Sequence, residues 1–306
     1  MQTLKTVLGD ISLNDMGITL PHEHICCYYE NFYKMFGSEY LDKEKLTECA
    51  VSHLRHMKKE YGLNTFVDCT PINIGRDLDL LEKVSLRSGV NVVVSTGFYY
   101  TEECMLRSHS EEYFFELIFK DIQKHNIGMI KFAVESEEIS PLHEKMLSAL
   151  CTVQKESHLP LTIHTNARIK NGIKVADFVL SKGVNPKALT IGHCSDTGDM
   201  DYVTEITARG CFVGFDRIYR RDDEEYYEDK ARDIAILCER GYADSILLSH
   251  DALTFSEFDK VPVIKDFVPY DRIFTHLIPK LREMGFAQKD IDKFTIDNPK
   301  RVFCEV

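Results

Sequence analysis

The 306-residue chain contains no Cys-x-x-Cys pair, no apolar stretch approaching 18 residues, and no charged-then-apolar pattern in its opening Met-Gln-Thr-Leu-Lys. Its ten cysteines are scattered from Cys26 to Cys304, and Cys69, Cys151 and Cys211 sit inside apolar, strand-like runs. Such scatter does not build a secreted disulfide scaffold and fits buried, reduced thiols. Without a leader pattern or an apolar span, the expectation is a cytoplasmic protein with no membrane segment. Basic residues are also in deficit. Lys and Arg number 37 against 49 Asp and Glu, a formal charge of −12. That surface repels phosphate backbones and anionic headgroups, so the expected partner is a small molecule, with no nucleic acid and no membrane. Short repeats and low-complexity segments are absent, and 44% hydrophobic with 28% charged residues is ordinary for a globular protein.

What the sequence does contain is an alternation of short β-rich runs and longer helical patterns. Strands are expected at 18–20, 64–69, 91–96, 129–133, 161–164, 189–193, 211–215 and 246–249. Helices are expected at 42–61, 77–88, 111–124, 141–157, 172–181, 200–209 and 229–240, with 272–284 after the last strand. Ser140-Pro141 places a cap before proline at the first helical position, and Gly62, Gly89, Gly183, Gly210 and Gly241 fall where helices should stop. Val92-Val93-Val94 and Ile246-Leu247-Leu248 are continuously apolar, as parallel strands covered on both faces require. Eight such units predict an α/β fold, a (β/α)8 TIM barrel forming one domain over 1–306. A doubly wound open sheet would want Gly-x-Gly-x-x-Gly after its first strand, and none is there. The longest connections, 219–229 and 253–270, both follow strands, which places them on the catalytic face as solvated loops or a substrate cap.

Reactive side chains sit at the predicted strand ends. Strand one runs into His22-Glu23-His24, strand four carries Lys131, strand five ends at His164, strand six at His193 and strand eight at Asp251. The C-terminal strand ends of a barrel converge on one mouth, so these residues would meet. Singly they mean little: with 12 histidines in the chain, about half of one His-x-His pair is expected by chance. Together, in barrel order, they describe a metal site at the C-terminal ends of the strands. Strand alternation puts His22 and His24 on one face with Glu23 opposite. Imidazoles and a carboxylate suit Zn²⁺, Mn²⁺, Co²⁺ or Fe²⁺. Cys194 should point away and pack.

This ordered set, with Ile191-Gly192-His193-Cys194-Ser195-Asp196, Leu247-Leu248-Ser249-His250-Asp251 and a closing Asn298-Pro299-Lys300-Arg301-Val302-Phe303, resembles the phosphotriesterase family of the amidohydrolase superfamily. That family includes phosphotriesterase-like lactonases and phosphotriesterase homology proteins. The resemblance runs from Leu20 to about Phe303 and implies a binuclear metal centre, zinc first among the candidates. By it, His22 and His24 with Asp251 hold a buried ion, His164 and His193 a more exposed one, and Lys131 bridges them as an N6-carboxylated lysine. The chemistry agrees: an ammonium beside two cations is disfavoured, and a neutral amine can add CO₂ to give an anionic bidentate ligand. The implied nucleophile is a metal-bridging hydroxide, with Asp251 taking its proton. No Gly-x-Ser-x-Gly elbow competes, and nothing calls for an organic cofactor. The family also implies a homodimer.

For substrate, the resemblance to the lactonase branch implies that Tyr99, after Thr96-Gly97, and Arg217, after Asp216, lie near the metals and the bound lactone. Without it, Tyr99 reads as rim packing and Arg217 as an ion-pair partner of Asp216 or Asp251. The expected activity is lactone opening. Arg217, Arg220, Arg221 and Lys265 would suit a phosphorylated sugar lactone, whereas Leu253, Phe255, Phe267 and Val268 would line a channel for an acyl-homoserine lactone. Hydrolysis of a phosphoric ester or an amide by the same centre is the alternative.

Overall fold

The Val, Ile and Leu runs between the helical patterns become the parallel strands of one sheet in a computed structural model, which describes residues 2–304. The chain opens with an antiparallel hairpin, β1 (Thr3–Thr6) and β2 (Gly9–Ser12). It continues through β3 (Ile18–Glu23), β4 (Cys26–Cys27), α1 (Glu30–Phe36), α2 (Lys43–Tyr61), β5 (Leu63–Asp68), α3 (Leu78–Ser88), β6 (Asn91–Gly97) and α4 (Glu111–Lys124). Then come β7 (Met129–Val134), α5 (Pro141–Ser157), β8 (Leu161–Thr165), α6 (Gly172–Ser181), β9 (Leu189–Gly192), α7 (Met200–Thr207), β10 (Phe212–Phe215) and α8 (Glu224–Glu239). Last are β11 (Ile246–Leu248), β12 (Phe255–Ser256), α9 (Ile278–Glu283), α10 (Gln288–Asp292) and α11 (Asn298–Cys304).

The hydrogen-bonded order β3-β5-β6-β7-β8-β9-β10-β11 follows the chain, and every adjacent pair is parallel. Asp251 N–H donates to His22 O (3.0 Å) and His22 N–H to Ser249 Oγ (3.0 Å), which brings the last strand back to the first. The result is a (β/α)8 TIM barrel with helices outside. The hairpin covers its N-terminal end, where Leu4, Leu13 and Met16 pack on Val67, Val93 and Met129. At the opposite end β12 pairs with β4, tying the 253–270 segment to the chain just beyond β3.

Local signals explain most boundaries. Asp42 caps α2 by accepting Lys45 N–H (3.0 Å), Ser140 caps α5 from His143 N–H (3.2 Å), and Gly62 ends α2 in a left-handed conformation. One expected loop is corrected. The helix placed at 229–240 starts at Glu224, because Asp223 accepts Tyr226 N–H (3.0 Å) and the acidic run sits at the positive end of the helix dipole. The expected helix at 272–284 opens as a π-helical stretch, Ile273–Leu277, before α9. Cys151 lies in α5 rather than a strand, and all ten cysteines are free. Among the described residues no helix is long and apolar enough to cross a membrane.

One glycine ties the fold to the site. Gly97, at the end of β6, has φ +112°, and a Cβ there would lie 2.0 Å from Lys131 O, the acceptor of Phe98 N–H (3.0 Å). Any side chain would push β7 and Lys131 away. Gly97→Ala is therefore expected to cost about 3 kcal/mol, read from the shift in denaturation midpoint. An unchanged midpoint would contradict this packing.

Candidate metal centre

β3 delivers His22 and, just past its end, His24; β7 delivers Lys131 and β8 His164. His193 follows β9 directly, one residue beyond the strand rather than within it, and Asp251 lies three residues past β11. Both adopt left-handed backbone, φ +65° and +54°. For a residue with a Cβ that conformation costs about 1–3 kcal/mol and persists only where neighbours impose it. Here His193 N–H donates to Asp216 Oδ1 (2.9 Å), and Asp251 N–H is held by His22 O.

These residues converge. The ligand atoms of His22, His193 and Asp251 lie within 4.8 Å of one another. Asp251 Oδ1 is 3.1 Å from His24 Nε2 and 3.6 Å from His22 Nε2, and its Oδ2 is 3.8 Å from His193 Nε2. His164 Nδ1 faces His193 Nε2 at 2.8 Å, and the buried Lys131 Nζ reaches His22 Nε2 at 2.7 Å.

The donor set fits a cation because each imidazole has its outer nitrogen occupied. Asp216 takes His22 Nδ1 (2.7 Å) with one oxygen and His193 Nδ1 (3.0 Å) with the other. Thr70 Oγ1 holds His24 Nδ1 (2.8 Å) and Glu135 holds His164 Nε2 (2.7 Å). An N–H committed outward leaves a lone pair on the other nitrogen, the arrangement in which histidines bind metals. His22 Nε2, His24 Nε2, His164 Nδ1 and His193 Nε2 thus turn toward the space around Asp251.

Electrostatics point the same way for three of the four rings. Burial pushes His22, His164 and His193 below the usual imidazole range, keeping them neutral. His24 differs: against its own burial it is held up at about 10 by Cys27 and by its hydrogen bond to Asp251, so without an ion it keeps a proton on Nε2 that a bound cation would displace. Burial alone would raise Asp216 and Asp251. The histidines around both, with Arg217 beside Asp251, instead hold them well below the ordinary carboxylate range. A permanent pair of anions beside the lone pairs of three neutral imidazoles makes a cation site.

Two connected cavities open above it. One of about 250 Å³ is lined by His22, His24, His164, Lys131, Asp251, Tyr99 and Leu253. The other, of about 940 Å³, shares Tyr99, His164, Arg217 and Arg220 and continues past Asn166, Arg168 and Lys230. The Tyr99 ring lies 5.4 Å from that of His164, and Asn73 Oδ1 fixes it by accepting its backbone N–H (2.7 Å). Arg217 bridges Asp251 (2.9 Å) and Asp196 (3.1 Å), not Asp216. Of the expected apolar channel only Leu253 lines the cavity: Phe255 and Val268 are buried in the core and Phe267 is exposed. Lys265 pairs with Asp259 (2.9 Å) instead of joining the arginines. Cys194 does pack away from the site, fully buried.

Sequence reasoning missed the outer partners. Asp216 had a signal in the flanking glycines, since a Cβ on Gly214 would lie 2.3 Å and one on Gly192 3.2 Å from its Oδ2. Glu135 and Thr70, on connections after strands, had none.

Known proteins resemble this chain along its whole length. The model of the Phosphotriesterase family matches residues 2–303. A phosphotriesterase homology protein of Mycobacterium tuberculosis is 29% identical, over 99% of this chain and 98% of the relative. An aryldialkylphosphatase of Saccharolobus solfataricus is 28% identical over 96% of each, and an N-acetyltaurine hydrolase of Xenopus tropicalis 24% identical over 97% of each. The solved structure of the phosphotriesterase from Mycobacterium tuberculosis superposes with a TM-score of 0.86 at 28% identity, covering 98% of both chains. The barrel, the convergent histidines and these full-length similarities agree, and the chain belongs to the phosphotriesterase family of hydrolases.

Proposed function

We propose that this hydrolase is a lactonase that opens a small, polar lactone, a sugar lactone in plain or phosphorylated form. The reading rests on Tyr99 and Arg217 flanking the Asp251 centre at the floor of a large polar cavity. Arginines along that cavity suit an oxygen-rich or anionic substrate, and little there suits a long acyl chain.

His22, His24 and Asp251 would hold one divalent ion and His164 and His193 a second, with Lys131, N6-carboxylated, between them. Zinc suits these donors first, and Mn²⁺, Co²⁺ and Fe²⁺ also fit. When bound, the ions supply the Lewis acidity that lowers the pKa of water and polarises a carbonyl. The chain's own residues do the rest. Asp251, kept ionised by its neighbours, accepts the proton of the attacking water and returns it to the departing alkoxide. Arg217 orients that carboxylate from one side and is itself steadied by Asp196. Burial pushes the Tyr99 hydroxyl up, so it stays protonated and can donate to the lactone ester oxygen. The Phe258 ring, 5.6 Å from that of Tyr99, narrows the mouth on the far side.

A second reading, hydrolysis of a phosphoric ester or an amide, is favoured by the similarity to an aryldialkylphosphatase and an N-acetyltaurine hydrolase. A proton-release screen on Zn²⁺- or Mn²⁺-loaded protein separates the two. Sugar lactones should turn over, aryl phosphotriester and N-acyl amide should be slow, and Asp251→Asn should be silent while folded. Turnover of the amide or phosphotriester alone would transfer the assignment to the second reading. Tyr99→Phe should lower kcat/KM on the best lactone by about tenfold, the loss of one transition-state hydrogen bond. An unchanged kcat/KM would remove Tyr99 from the site.

A further inference from the structure

We infer that Glu23, the residue between the two histidines of β3, is the positioning residue for Asp251 and acts through His250. Alternation turns the Glu23 side chain away from the barrel mouth, where it is completely buried. A buried carboxylate is tolerated only when its lone pairs are filled. Glu23 takes four donors from one turn. Its Oε1 accepts Ser249 Oγ–H (2.8 Å), His250 N–H (2.8 Å) and His250 Nδ1–H (2.7 Å), and its Oε2 accepts Ala252 N–H (3.0 Å). Every residue from 249 to 252 except Asp251 is gripped by this one group.

The exception is the point. Asp251 is in left-handed backbone, which is disfavoured for a residue with a Cβ, and the grip on both flanks helps to hold it there. His250 is pinned in turn: Ile273 N–H donates to its Nε2 (3.2 Å), which commits Nδ1–H to Glu23. Ser249 Oγ accepts His22 N–H as well, so the same group sets the turn against the strand carrying His22 and His24. Thus the residue separating two inward histidines fixes, from the other face, the carboxylate they meet. Displacing a reacting group by about 1 Å can cost 10²-fold in rate, and this clamp prevents that displacement.

The inference rests on Asp251 as proton acceptor, and the test keeps the two apart. Glu23→Gln must present an NH₂ to at least one existing donor. In the folded variant kcat should fall about 10²-fold with KM within about twofold. Zn²⁺ affinity, measured by chelator competition, should weaken about 10- to 100-fold. His250→Asn, whose amide can replace the Nδ1–H donor, should keep most of the rate, and His250→Ala should not. A folded Glu23→Gln protein with normal kcat and Zn²⁺ affinity would overturn the inference and leave Glu23 a scaffold residue. If Glu23→Gln does not fold, equal kcat in the two His250 variants overturns it. Full activity in Asp251→Asn would instead overturn the proton-acceptor reading itself.

Discussion

Asp216 is a buried carboxylate with one imidazole N–H on each oxygen, and the centre depends on it. Through Asp216 the ring of His22, from the first barrel strand, and that of His193, from beyond the sixth, are aimed by the same group. Remove the charge and each ring is free to turn its lone pair elsewhere. Leave the charge without the rings and a buried anion is stranded, at a cost of several kcal/mol. The fold keeps the arrangement by making room for it, with glycine at 192 and 214, and by holding His193 in a backbone conformation that a relaxed chain would leave.

The same logic recurs around the mouth. Thr70 and Glu135 do for His24 and His164 what Asp216 does for the other two, and Glu23 does it for the turn carrying Asp251. Polar groups at and just beyond the strand ends are satisfied in a way that leaves a set of lone pairs, and one carboxylate, facing a common space. Rings fixed in this way from outside need little further ordering to bind, which is what preorganises a site.

Much of this was legible in the sequence. The alternation of apolar runs with helical periods located all eight barrel strands, and the strand ends named the histidines, Lys131 and Asp251 that meet in space. Strand alternation also put Glu23 behind His22 and His24. What escaped was short or relational. Two-residue strands such as β4 and β12 carry no period, and the start of α8 was hidden because its acidic first turn looks like a solvated loop. Asp216 and Glu135 are ordinary carboxylates until the barrel brings a histidine to each. The apolar channel failed for a similar reason: a phenylalanine on a long connection can face the core, as Phe255 does, or the solvent, as Phe267 does.

The central claim is that these outer contacts make a cation site. Its most direct test is Zn²⁺ titration of metal-free protein, wild type against Asp216→Asn, with folding checked by circular dichroism. An asparagine can accept from one imidazole N–H but presents its own donor to the other, so one ring must turn. The account predicts two Zn²⁺ per wild-type chain and affinity weakened about 10- to 100-fold in the variant. Wild-type protein that takes up no zinc, or a folded variant that binds it as tightly as wild type, would contradict it.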